Sequence, residues 1–230
     1  MTDFIASMPA AYARAFVGAA WAEHAGIIAR RGAKLAHAEL CRSGSSPMVC
    51  VVADDRPGLL ALVTDALLAH GFGVYGAQAY CRQRPDGRTE AVDFWELHPS
   101  RADAGANLDN AELAAFVQTL SELIAEDILA SARGDTPSAP NARRTRAYFD
   151  LQALRRNEYV LHVETPDAEG LLHAITSTLH AHGVRISACQ IGTEGGMARD
   201  RFELLSPSDQ PLTAAELCDI QLAVVDALPR

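Results

Sequence analysis

The stretch that decides the fold reads Cys50-Val51-Val52-Ala53-Asp54-Asp55-Arg56-Pro57-Gly58-Leu59-Leu60 and runs on to Ala69-His70-Gly71. About 110 residues later the chain repeats it, as Leu161-His162-Val163-Glu164-Thr165-Pro166-Asp167-Ala168-Glu169-Gly170-Leu171-Leu172 followed by Ala181-His182-Gly183. Asp55 corresponds to Asp167, Gly58 to Gly170, Leu59-Leu60 to Leu171-Leu172 and Gln78 to Gln190. Each copy then reaches a related segment, Asp93-Phe94-Trp95-Glu96-Leu97 in the first and Asp200-Arg201-Phe202-Glu203-Leu204 in the second. A repeat this long has the size of a domain and not of a solenoid unit. Two small domains of one kind are expected.

Outward from the first copy, residues 48–53 are wholly apolar and suit a central strand buried on both faces. Asp54-Asp55-Arg56-Pro57 opens a helix over 58–69, with Leu59, Leu62, Val63, Ala66 and Leu67 at helical spacing and Gly71 as a left-handed stop. Residues 74–81 alternate and meet the turn sequence Pro85-Asp86-Gly87, after which 91–97 returns as a second strand. A longer helix is predicted over 110–132 on Leu113, Phe116, Val117, Leu120, Leu123, Ile124 and Ile128. Residues 134–141 read as a flexible connector, and Tyr148-Phe149-Asp150-Leu151 as the last strand of the first domain. The order β-α-β-β-α-β is the ferredoxin-like arrangement. The second copy gives strands over 159–164, 184–192 and 199–205 and helices over 170–181 and 214–228. With no residues left for a closing strand, it is expected to lack one or to borrow an edge. Residues 1–45 read as helix, on Tyr12, Phe16, Ala19, Ala20 and Ile27. The expected fold is α+β, with a helical segment at 1–45 and ferredoxin-like domains at 46–151 and 152–230.

The 230 residues are 49% apolar and 21% charged, which indicates a globular chain and not a disordered one. A net charge of −9 argues against nucleic acid or an anionic membrane as partner. The cluster Arg143, Arg144, Arg146, Arg155 and Arg156 is the local exception and reads as a solvated linker. Five scattered cysteines, Cys41, Cys50, Cys81, Cys189 and Cys218, form no C-x-x-C pair. With no leader and no apolar run of membrane-spanning length, they suggest a reducing, cytoplasmic setting.

A short strand, Asp-Arg-Pro-Gly-Leu-Leu, an amphipathic helix ending His-Gly and a strand opening Val74-Tyr75-Gly76-Ala77-Gln78 resemble the ACT domain, a small-molecule-sensing regulatory module. The duplicated layout is similar to the C-terminal part of the PII uridylyltransferase/uridylyl-removing enzyme family, which ends in two ACT domains. Phe4-Ile5-Ala6-Ser7-Met8-Pro9-Ala10-Ala11-Tyr12 and Trp21-Ala22-Glu23-His24-Ala25 resemble the helical segment before those domains. The resemblance is firm over 48–98 and 157–206. That family's chemistry is missing: Asp54 and Asp55 are adjacent, so along a strand they point to opposite faces and cannot share a metal, and no His is followed by Asp. The resemblance implies a non-enzymatic sensor of an amino acid, with glutamine the first candidate, with no catalytic residue, metal or cofactor.

The residues themselves suggest where such a ligand sits. Backbone N–H groups at Gly58, Leu59 and Leu60 face the start of a helix and suit a carboxylate, and a glycine allows close approach. Asp54, Asp55 or strand carbonyls over Val74, Tyr75, Gly76 and Ala77 suit an ammonium, and Gln78 and Gln190 a polar side chain. Asp167, Gly170 and Leu171 are the second-copy equivalents. The alternatives are an Asp55 that only caps its helix and glutamines that only face solvent. The second copy replaces Arg56-Pro57 with Ala168-Glu169, placing negative charge beside the helix start. The first copy's loop is therefore expected to be the better site. The rival function is a protein-interaction module, with self-association or a partner chain at the edge left by the missing strand. A remnant enzyme is the weakest alternative.

Overall fold

The computed structural model describes residues 2–43, 46–99, 109–130, 146–150, 157–208 and 210–229. The expected connector over 134–141, residues 131–132 of the predicted helix, Leu151, Gly44-Ser45 and the arginines at 143, 144, 155 and 156 lie outside them. Three short helices come first: α1 (Thr2–Ser7), α2 (Ala10–Ala15) and α3 (Ala19–Arg31). Strands β1 (Ala36–Ser43) and β2 (Ser46–Asp54), helix α4 (Leu59–Ala69), strands β3 (Phe72–Gln83) and β4 (Thr89–Pro99) and helix α5 (Asn110–Ala130) follow. The second copy repeats that series as β5 (Arg146–Phe149), β6 (Glu158–Pro166), α6 (Leu171–Ala181), β7 (Arg185–Glu194), β8 (Met197–Leu205) and α7 (Ala214–Ala227).

Among the described residues eight strands form one antiparallel sheet in the order β1-β2-β4-β3-β7-β8-β6-β5. Two expectations are corrected by its pairing. Residues 36–43, expected as helix, form strand β1 along β2, with Ala38 opposite Val51. The strand expected to close the first domain pairs instead with the second copy, Tyr148 opposite His162. The second copy therefore does not lack an edge strand; β5 supplies it. In each half the edge strand comes before the central strand and not after the last helix.

Strand alternation explains the two cores. Val49, Val51, Ala53, Ala79, Ala91 and Trp95 point to the face covered by α4 and α5, in one continuous core with Leu161, Val163, Phe202 and the inner sides of α6 and α7. Their neighbours Cys50, Val52, Tyr80, Val92 and Phe94 point the other way and are covered by Phe4, Met8, Tyr12, Phe16 and Ile27 of the N-terminal helices. This is why residues 48–53 are apolar throughout. The same face of the second half instead carries polar side chains such as Gln190, Arg199, Arg201 and Glu203. Among the described residues no helix is long and apolar enough to cross a membrane.

The two halves meet about a local two-fold axis. Gln78, on β3, lies opposite its own equivalent Gln190, on β7. On the helical side the equivalent residues Thr64 and Thr176 face each other across α4 and α6, hydroxyls 3.3 Å apart. A residue that faces its own counterpart must sit on the axis, and these two pairs mark it on both sides of the sheet.

Candidate functional site

Each half carries the same loop, from the end of its central strand to its first helix. Gly58 and Gly170 start their helices in the left-handed region, with φ 78° at both and ψ −5° and 0°. That conformation is the physical reason for glycine at both positions. Beside each loop aspartate, Asp55 or Asp167, stands a second aspartate on a neighbouring strand. Asp93 on β4 and Asp200 on β8 are each only 3% exposed, and each accepts a backbone N–H from the adjacent strand, of Tyr80 and Gly192 respectively. Burial pushes the Asp93 carboxyl up to about 8, with the charge of Asp55 adding to it. Burial likewise raises Asp200 to about 7, the Gly192 N–H opposing and the charge of Asp167 assisting.

From this common plan the two sites diverge. At the first loop Arg185, reaching over from β7, donates its Nη2 to Asp55 Oδ2, and the Asp55 side chain is left 5% exposed. The His180 ring of α6 lies directly before Gly58, so close that a Cβ there would come within 2.8 Å of its Cε1. The glycine thus makes room for a histidine of the other half. Only about 30 Å³ remains between these groups.

At the second loop both filling groups are gone. The equivalent of Arg185 is Gly73, and the equivalent of His180 is Leu68. Leu68 Cδ1 stands 4.0 Å from where a Cβ on Gly170 would be. A cavity of about 260 Å³ opens there, walled by Leu67, Leu68, Phe72, Val74 and Ile191 and bordered by Asp167, Glu169, His98, His173, Thr193 and Asp200. Asp167 is exposed to it and accepts a hydrogen bond from the Thr193 hydroxyl at 3.1 Å. Asp200 also lines it, and its Oδ1 is buried without a hydrogen-bond partner. Leaving a buried carboxylate oxygen unmatched costs roughly 1–3 kcal/mol or more, so this atom calls for a donor.

The candidate residues are distributed unevenly over these sites. Asp55, Gly58, Leu59 and Leu60 gather at the filled first loop. Leu59 N–H is already bonded to Arg56 O at 3.3 Å, and Leu171 N–H to Ala168 O at 3.1 Å, which removes one donor from each helix start. Asp54 points away and pairs with Arg31 and Arg84. Arg56 is bound to Asp127 of α5 at 2.6 Å; a depression of about 340 Å³ outside it is bordered by this closed ion pair. Val74, Asp167, Gly170 and Leu171 border the open cavity. Tyr75 is beside it, its ring 4.1 Å from that of His98. Gly76 and Ala77 belong to the β3–β7 seam, Gly76 opposite Gly192 and Ala77 opposite Ile191. Gln78 and Gln190 lie on the other side of the sheet from both loops, where the Tyr80 hydroxyl donates to Gln78 Oε1 at 2.7 Å. They are therefore not part of either cavity.

The residues that sequence reading passed over are Asp93, Asp200, Arg185, His180 and Gly73. The first two stood in the matched closing segments, Asp93 between the apolar Val92 and Phe94 and Asp200 between Arg199 and Arg201. The other three are where the repeats break step. Among the described residues no His, Cys, Asp and Glu side chains are grouped to hold a metal ion.

No family model matches the chain. Three curated relatives are each named as a bifunctional uridylyltransferase/uridylyl-removing enzyme. That of Phenylobacterium zucineum is 27% identical over 222 residues, covering 91% of this chain and 22% of the relative. That of Cereibacter sphaeroides is 25% identical over 158 residues, covering 66% and 16%. That of Psychrobacter cryohalolentis is 31% identical over 72 residues, covering 31% and 8%. The chain thus spans less than a quarter of the length of the relatives it matches. Among solved structures, an aspartate kinase from Synechocystis aligns with 11% identity and a TM-score of 0.38 over 77% of this chain and 26% of that one. A protein described as unknown, from Galdieria sulphuraria, aligns with 18% identity and a TM-score of 0.24 over 77% and 87%.

Proposed function

We propose that this chain is a regulatory module without catalytic machinery of its own, which senses a free amino acid in the cavity beside Gly170. The observation that carries this reading is the cavity itself. It is lined by apolar side chains together with a few polar groups, among them Asp200, whose buried Oδ1 lacks a partner. A pocket of mostly apolar walls with a few converging polar groups is the usual form of a small-molecule site. The ligand ammonium is placed at Asp167 and Asp200, its carboxylate toward the start of α6, and its side chain against Leu67, Leu68 and Ile191. The similarity to part of the uridylyltransferase/uridylyl-removing enzymes supports a role in control, and the resemblance of both loops to ACT domains makes glutamine the first ligand to try. The site moves from the first loop, favoured on charge, to the second, because Arg185 and His180 occupy the first.

The test is a thermal-shift screen of the full chain against the common amino acids, with calorimetry on each hit. A ligand at 100 times its Kd stabilises a single site by about 2.7 kcal/mol, which moves a melting temperature by several degrees. A selective shift that disappears in Gly170→Asp is the expected result. No shift with any amino acid at millimolar concentration sinks the reading.

A further inference from the structure

The first loop shows what its sister site lacks. Both sites hold a loop aspartate beside a buried strand aspartate, at matched positions about the local two-fold axis. In the first, Asp55 is covered by a guanidinium, Nη2 of Arg185. In the second, Asp167 is open, Asp200 Oδ1 has no partner, and glycine stands where the arginine would be. Two carboxyl groups around an unfilled space favour a positive charge, which in turn would favour the ionised form of buried Asp200. Glu169 at the rim adds to that field.

We propose that the second-loop cavity binds the positively charged end of a small organic molecule, a guanidinium or primary ammonium, on Asp167 and Asp200, and that Arg185 is the chain's own tethered occupant of the equivalent first-loop site. This deepens the amino-acid reading, on which it rests for the location of the ligand, by assigning which end of the molecule is recognised. It also sets the stoichiometry. A chain with two similar loops has one open site, because the other is filled from within. Binding is governed by charge at this end, so a neutral molecule of the same shape does not enter.

Methylguanidine is the probe for the cationic end, and methylurea, of the same shape but uncharged, is its control. Both are titrated into the full chain by calorimetry and by NMR line-shape analysis, alongside L-glutamine and N-acetyl-L-glutamine, which keeps the carboxylate and loses the ammonium. The expected result is one methylguanidine site per chain and no methylurea binding. Asp200→Asn should weaken it at least tenfold, as should Asp167→Asn, an exposed change that serves if the buried one disturbs folding. Arg185→Ala with His180→Leu, which removes both groups that fill the first loop, should raise the count to two sites. The double variant Gly73→Arg with His98→Leu, which copies the first-loop arrangement where Arg185 lies opposite Leu205, should lower it to none.

The outcomes separate the two claims. Methylguanidine binding while no amino acid binds upholds the cation site and overturns amino-acid sensing. L-Glutamine and its N-acetyl derivative binding equally, with methylguanidine neither binding nor competing, upholds the sensor and overturns the cation site. Methylurea binding as well as methylguanidine, or affinity unchanged in both aspartate variants, also overturns it.

Discussion

Gly58 and Gly170 share a backbone conformation and differ in what stands before them, so one substitution asks two questions. Alanine at either position pays the left-handed penalty of about 1–2 kcal/mol. Gly58→Ala must also displace the His180 ring, whereas Gly170→Ala meets nothing nearer than 4.0 Å. Denaturant melts should show Gly58→Ala as the more damaging; equal losses would mean that His180 does not pack as described. The buried aspartates give a pH signature. Their folded carboxyls titrate near 8 and 7, above the ordinary value of about 3.9, so the folded state holds more protons than the unfolded one between those limits. Their contribution to stability is complete below pH 4 and is lost as pH rises through 7 to 8. Asp93→Asn and Asp200→Asn should each flatten the fall in melting temperature between pH 5 and 8, measured with Asp167, Glu169, His98 and His173 unchanged around the latter. The opposite slope comes from His24, which burial holds down at about 4 and which contributes fully above 6.5 and less as pH falls through 4. At this scale the loop glycines were legible because a left-handed start has a residue signature. Asp200 was not, because nothing local distinguishes a buried carboxylate from an exposed one on a strand.

The N-terminal helices are joined to the sheet by more than their aromatic underside. Arg31, the last residue of α3, is 4% exposed and bonds both Asp54 and buried Glu90 at 2.7 Å, while Arg82 holds the other Glu90 oxygen. Removing one partner of a buried pair costs about 3–5 kcal/mol. Arg31→Ala should fall at the low end, about 3 kcal/mol, since Arg82 still serves Glu90; urea unfolding measures it, and a loss under 1 kcal/mol would reduce Arg31 to a surface charge. Strand β1, which follows α3, was misread for a local reason. Residues 36–43, Ala-His-Ala-Glu-Leu-Cys-Arg-Ser, are mostly competent helix formers, and intrinsic propensity is a weak prior that pairing overrides. The stop signal was present in Gly32, which ends α3 at φ 56°, but a single glycine cannot say that a strand follows. By contrast the helices α4 and α6 and the strands between them agreed with their apolar spacing to within a few residues, because there local pattern and burial coincide.

Across the whole molecule the seam between β3 and β7 is what turns two halves into one sheet. It is closed by Gln78 opposite Gln190 outside and Thr64 against Thr176 inside, with Arg185 and His180 crossing to the first loop. None of these contacts was readable from the repeat, which gives what is alike and not which edges meet. A seam with two-fold character is self-complementary in principle. The chain cut after residue 130 leaves the β3 edge and the Thr64 side of α4 uncovered, and it should form a dimer in sedimentation experiments. A stable monomer would mean that the seam contributes little to the first half. The early position of β1 and β5 has a further consequence for synthesis on the ribosome. In the ferredoxin order the outer strand is made last, so a nascent domain waits for its final segment before its sheet is closed. Here β1 is made before β2, and every strand of the first half has been translated before α5 begins. The first half can thus close its sheet while the second is still being made, and the seam is then laid down against a surface already in place.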